Sequence, residues 1–99
     1  MKLGKWLKDF LNAKTLERIK NKYKKEGSNF IIDSLSEREL RCLMKYDVLR
    51  PNKFNKYDPM NDIEFLIETK RSKNLSTAQI IKKHILTSNI TNYLKENTG

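Results

Sequence analysis

Residues 76–96 read STAQIIKKHILTSNITNYLKE, and the phase of their apolar positions decides what kind of helical protein this is. Ser76 followed by Gln79 makes a capping box, in which the hydroxyl accepts from the third backbone amide while the carboxamide reaches back. Ile80, Ile81, His84 and Ile85 then form one helix-spaced stripe, and Leu86, Ile90, Tyr93 and Leu94 form a second. On an uninterrupted helix the five steps from Ile85 to Ile90 set the stripes about 140° apart. A break at Leu86-Thr87-Ser88-Asn89 would return both to one core. The segment is therefore expected to form two short helices, Thr77 to Ile85 and Ser88 to Glu96, arranged as a helix-turn-helix-like hairpin.

Outward from this segment the chain stays helical. Leu3, Trp6, Leu7, Phe10 and Leu11 recur at i, i+3, i+4, i+7 and i+8, and Leu16, Ile19 and Tyr23 are read as continuing that stripe, so residues 3–25 form a long first helix ending at Gly27. Phe30-Ile31-Ile32 reads as a lone extended segment. Ser36 with Glu39 is another capping box, opening a helix over residues 37–48 with Leu40, Leu43 and Met44 buried. Residues 50–59 hold both prolines and read as loop, after which Asn61 caps a third helix bearing Ile63, Phe65, Leu66 and Ile67. The expected fold is all-α: one small single-domain bundle of four to five helices over residues 1–99. It divides into a basic amphipathic helix (1–26), a central acidic part with its loop (27–73) and a basic C-terminal pair (74–99).

Composition bounds the function. Leu, Ile, Val and Phe make 26 of the 99 residues, enough for one modest core and too few for two. No apolar run approaches the length of a bilayer span or of a signal-peptide core, so the chain is expected in the cytoplasm. One cysteine and one histidine supply no disulfide and no zinc set; neither cofactor nor metal is expected. His84 on an apolar stripe reads as half-buried, and Cys42 beside Leu40 and Met44 reads as a packing residue. Without a partner at catalytic spacing for either, an enzyme is not expected.

The net charge of +9 is uneven: residues 1–25 carry +7, residues 26–69 carry −3 and residues 70–99 carry +5. A·T-rich codon usage accounts for 16 lysines and 10 asparagines, but not for the scarcity of acids at both ends. Basic ends point to a polyanion. The leading expectation is a non-catalytic DNA-binding regulator or accessory protein of a low-G·C bacterium, phage or plasmid, with a homodimer favoured by the usual habit of helix-turn-helix readers. Lys20, Lys22, Lys24, Lys25, Lys82, Lys83 and Lys95 would neutralise phosphates; Thr87, Ser88, Asn89 and Asn92 would reach the backbone and bases, asparagine pairing with adenine.

Residues 35–43, Leu-Ser-Glu-Arg-Glu-Leu-Arg-Cys-Leu, resemble the opening helix of LuxR-type DNA-binding domains. The resemblance covers these nine residues alone and carries no functional residue with it, because residues 50–59 stand where that family's turn and recognition helix would follow. Two other classes of partner fit the composition. A host protein would meet the acidic centre (Glu37, Glu39, Asp47, Asp58, Asp62, Glu64, Glu68) or the aromatic loop Phe54 to Tyr57, as for a phage-encoded inhibitor or a bacteriocin immunity protein. An anionic membrane surface would meet residues 1–14, where Trp6 and Phe10 face away from lysines; core packing of that stripe is the favoured reading.

Overall fold

The computed structural model describes residues 2–46, Val48 and residues 59–98, with backbone alone at 2, 3 and 59. Asp47, Asp58 and the loop bearing Phe54 and Tyr57 lie outside the described residues, as does the side chain of Leu3. The protein is all-α. Among the described residues it has four α-helices and no strand: α1 (Lys2–Glu26), α2 (Glu37–Cys42), α3 (Pro59–Arg71) and α4 (Thr77–Thr98), with short 3-10 turns at Gly27–Asn29, Ile32–Ser34 and Leu43–Lys45.

The boundaries follow from local chemistry. Gly27 adopts φ +55°, the left-handed conformation that terminates a helix at low cost only for glycine. The chain is extended at Phe30 and Ile31 as expected, but Ile32 already opens a 3-10 turn. Both capping boxes form: the Ser36 N–H donates to Glu39 Oε1 at 2.8 Å and Ser36 Oγ accepts from the Glu39 N–H at 3.1 Å, with the same pair of bonds between Ser76 and Gln79 at 2.9 and 3.2 Å. The helix expected over 37–48 is instead six residues of α2 followed by a 3-10 turn, ending where Tyr46 becomes extended. Pro59 opens α3, two residues before the expected cap at Asn61; its fixed φ and missing N–H suit a first helical position.

Thirteen buried apolar residues form the core: Leu16 and Ile19 from α1, Ile32 and Leu35 from the connection, Leu40, Cys42, Leu43 and Val48 around α2, Ile63 and Leu66 from α3, and Leu86, Ile90 and Leu94 from α4. Completely buried members such as Ile19, Leu40, Ile63 and Ile90 each contribute about 1.5–3 kcal/mol of transfer free energy. Lys22 of α1 reaches the Ser34 carbonyl and Lys83 of α4 reaches Asp33, while the charges of Asp9 and Tyr93 both bear on the Tyr46 hydroxyl. The C-terminal half of α1 thus neighbours the N-terminal half of α4, and the two long helices run in opposite directions.

The expected C-terminal hairpin is not formed. Residues 77–98 make one continuous helix, and Leu86 to Asn89 lie within it. The two stripes are not reconciled by bending: the second enters the core, and the first stays in water, with Ile80, Ile81 and Ile85 more than half exposed. A break would have stripped hydrogen bonds from two new helix ends, and residues 77–98 contain no glycine or proline to make one.

Candidate functional site

The residues expected to hold DNA are distributed along two helices, and several are engaged elsewhere. Lys22 Nζ lies 3.0 Å from Glu39 Oε1, Lys83 Nζ lies 2.9 Å from Asp33 Oδ1, and Lys82 Nζ lies 3.6 Å from Asp62 Oδ1 and 4.5 Å above the Phe65 ring. These cations tie helices together. Thr87 Oγ1 donates to the Lys83 carbonyl at 2.7 Å. Lys20, Ser88 and Asn89 are half-buried, whereas Lys24, Lys25, Asn92 and Lys95 are exposed. With α4 continuous, Asn89 and Asn92 lie in the middle of a long helix and not near the start of a separate recognition helix. The acidic centre is also engaged: Glu37 and Glu64 grip Arg41, Asp62 faces Lys82, and Glu39 is buried.

Glu39 is the tightest polar element. Burial pushes its carboxyl pKa up, but the Ser36 backbone N–H and the Lys22 ammonium outweigh that and hold it below the ordinary glutamate value. Its second oxygen, Oε2, has no hydrogen-bond partner among the described residues. Burial, with the nearby Glu39 charge, pushes the Cys42 thiol pKa up, and the thiol donates to the Asn12 carbonyl at 3.3 Å, so this cysteine is a packing residue. His84 is exposed and not half-buried. Among the described residues no group of three or more His, Cys, Asp or Glu side chains could hold a metal ion.

What the structure leaves open is the N-terminal half of α1. Trp6, Leu7, Phe10 and Leu11 are 66%, 50%, 46% and 40% exposed, which overturns the expectation that they pack in the core. The cause is a second phase slip. Leu11 and Leu16 are five residues apart, as Ile85 and Ile90 are, so the stripe from Trp6 to Leu11 and the buried set Leu16, Ile19 and Tyr23 lie on nearly opposite faces of one straight helix. The spacing was visible in the sequence and is the signal that a continued stripe conceals. Trp6 and Phe10 stack, with centroids 5.8 Å apart and planes at 16°, and Lys14 Nζ sits 5.6 Å from the Phe10 centroid.

The same face continues as a cationic one. Lys14, Arg18 and Lys25 fall within about 50° of the centre of the apolar stripe, with Glu17 the acid among them. Lys8 lies about 130° around the helix from the stripe's centre, toward the core side, and Lys5 lies on the opposite face. Among the described residues no carboxylate stands within ion-pair distance of Lys5, Lys8, Lys14, Arg18, Lys24 or Lys25. Comparison with protein-family models, with curated proteins and with solved structures finds no match.

Proposed function

We propose that this is a non-catalytic protein that attaches peripherally to an anionic bilayer through the outer face of α1. The observation that carries the reading is the uncovered Trp6-Leu7-Phe10-Leu11 stripe, with cations following it on a helix whose buried side chains, among the described residues, begin at Thr15. Leucine and phenylalanine supply acyl-chain contact, tryptophan suits the headgroup boundary, and the cations that follow on the same face, Lys14, Arg18 and Lys25, meet lipid phosphates, which is the pattern of a helix lying in the interface. Adding the exposed fractions of the four side chains gives the equivalent of about two fully buried ones, or about 3–6 kcal/mol of insertion free energy. Each cation near an anionic leaflet adds about 1 kcal/mol. No described helix is long and apolar enough to cross a membrane, so the attachment is to one leaflet. For a chain kept in the cytoplasm, that leaflet is the inner one.

Trp6 is the sole tryptophan, so its emission reports insertion directly. Phosphatidylglycerol vesicles are expected to carry the protein on flotation, shift Trp6 emission to the blue and release the protein with added salt, while phosphatidylcholine vesicles bind weakly. Trp6→Ala with Phe10→Ala should abolish binding. Absence of flotation and of any shift on anionic vesicles would overturn the reading.

A second reading keeps the polyanion but changes its kind. Exposed Lys14, Arg18, Lys24 and Lys25 along one helix also favour sequence-independent contact with a DNA backbone. Retention on random duplex with a steep salt slope, in a protein that ignores vesicles, would select that reading. A host protein or a second copy covering the stripe would show as a stable complex that survives nuclease.

A further inference from the structure

We infer that the groove between α1 and the α2 region is a site for a phosphate ester, in the membrane setting the headgroup of an anionic phospholipid. The groove is a largely open depression of about 710 Å³, lined by Lys8 and Asn12 from α1 and by Arg38, Arg41, Cys42 and Lys45 from the α2 region, with Glu37 and Met44 completing the wall. That volume lies within the usual range for small-ligand sites. Its open side suits a group that remains attached to something larger.

Charge selects the ligand. Four cations face one carboxylate, and that carboxylate is already committed: Glu37 Oε1 accepts from Arg41 Nη2 at 2.9 Å and Nε at 3.2 Å. Glu64 takes Arg41 Nη1 at 2.6 Å from the other side, so the Arg41 guanidinium is held in place at the wall. Lys8, Arg38 and Lys45 have no carboxylate within ion-pair distance among the described residues. Among the described residues their donors are unpaired beside one groove, and Arg38 offers the planar fork that matches phosphate oxygens in pairs. Asn12 adds an amide, while Cys42 and Met44 supply an apolar floor against which a glycerol carbon skeleton can rest.

Position ties the groove to the proposed attachment. Lys8 lies between Leu7 and the core side of α1, about 60° around the helix from Leu11. With Leu7 and Leu11 in the acyl boundary, Lys8 stands at headgroup height at the mouth of the groove. This inference rests on the membrane reading for its lipid source, but the phosphate chemistry stands without it.

The test uses the full chain, its Arg38→Gln/Lys45→Gln variant, and an Arg71→Gln/Lys73→Gln control that removes the same charges from exposed positions at the end of α3. Two readouts are taken: flotation on phosphatidylglycerol vesicles, and amide shifts on titration with soluble glycerol 3-phosphate. The groove variant is expected to lose about tenfold in vesicle affinity, and the control markedly less. Glycerol 3-phosphate should move the amides of Lys8, Asn12, Arg38, Arg41 and Lys45 in the wild type and not in the groove variant. Equal losses in both variants with unmoved groove amides overturn the site while leaving the membrane reading intact. Moved groove amides without any vesicle binding support the site with a soluble phosphate ester as its ligand and overturn the membrane reading. If neither vesicles nor glycerol 3-phosphate bind, both fail.

Discussion

The Lys22–Glu39–Ser36 cluster predicts an asymmetry between two substitutions that remove the same ion pair. Glu39 is almost fully buried and one of its oxygens has no partner among the described residues, whereas the Lys22 side chain is about one-third exposed. Lys22→Met leaves a buried carboxylate with only Ser36 for compensation. Stranding a fully buried charge costs about 3–5 kcal/mol. Discounting for the solvent that already reaches Lys22 brings the expected cost to about 2–3 kcal/mol. Glu39→Gln is milder, because glutamine still reaches the Ser36 N–H and Lys22 swings into water; about 1 kcal/mol is expected. The double variant should be more stable than Lys22→Met alone.

Acid distinguishes the two further. In the wild type the depressed Glu39 pKa contributes stability that is fully present above the unfolded value, about 4.3, and is lost as pH falls through the folded value. Without Lys22, burial dominates and the carboxyl pKa rises, so the variant gains relative to the wild type as the group protonates. The gap between them should close as the pH falls through the variant's higher folded value. Urea unfolding followed by far-UV circular dichroism reads this as a midpoint difference of about 1 M at neutral pH, shrinking in acid. A gap that ignores pH, or Glu39→Gln costing more than Lys22→Met, would refute the assignment of Glu39 as the stranded charge.

Three other outcomes follow from the packing. Ile90→Ala should cost about 2–4 kcal/mol in the same assay, whereas Ile85→Lys, on the exposed stripe of α4, should stay within about 0.5 kcal/mol. Gly27→Ala has open space for its Cβ, so its expected cost of about 1 kcal/mol comes from the left-handed backbone alone and should appear without any change in helix content. Cys42 should react with a thiol reagent more slowly than a free cysteine at neutral pH, and its rate should rise with urea as the fold opens.

Much of the fold was legible because its signals are local. Both capping boxes form between the predicted residues, the start of α2 and the stop at Gly27 lie where their chemistry requires, and Ile63, Leu66, Ile90 and Leu94 are buried as their spacing implies. The errors share one physical cause. Periodicity tells which residues share a helix face, but not whether another element exists to cover that face. In α4 a turn would bury both out-of-phase stripes, yet the helix stays continuous and only one is covered; in α1 the same five-residue slip turns the first stripe away from the core. The cations follow a related rule. Lys22, Lys82 and Lys83 look like a basic surface in sequence, yet each has a carboxylate brought to it by tertiary packing across 17 to 50 residues, which no local pattern reveals.

The position of the core also separates folding from attachment. Among the described residues none of the thirteen buried apolar side chains precedes Leu16, and the bond between Cys42 Sγ and the Asn12 carbonyl is a peripheral tie. Residues 2–11 therefore project a helix that the bundle does not require. Removing residues 1–11 should leave a cooperative urea transition with a midpoint near that of the full chain and circular dichroism reduced by the missing turns alone. It should abolish vesicle flotation. A truncated chain that unfolds, or one whose full-length parent loses stability on dilution, would mean that the Trp6-to-Leu11 stripe is core after all, covered by a second copy. Apolar residues that stabilise a monomer cannot be removed without loss, so an unchanged urea midpoint together with lost flotation assigns the Trp6-to-Leu11 stripe to binding and not to folding.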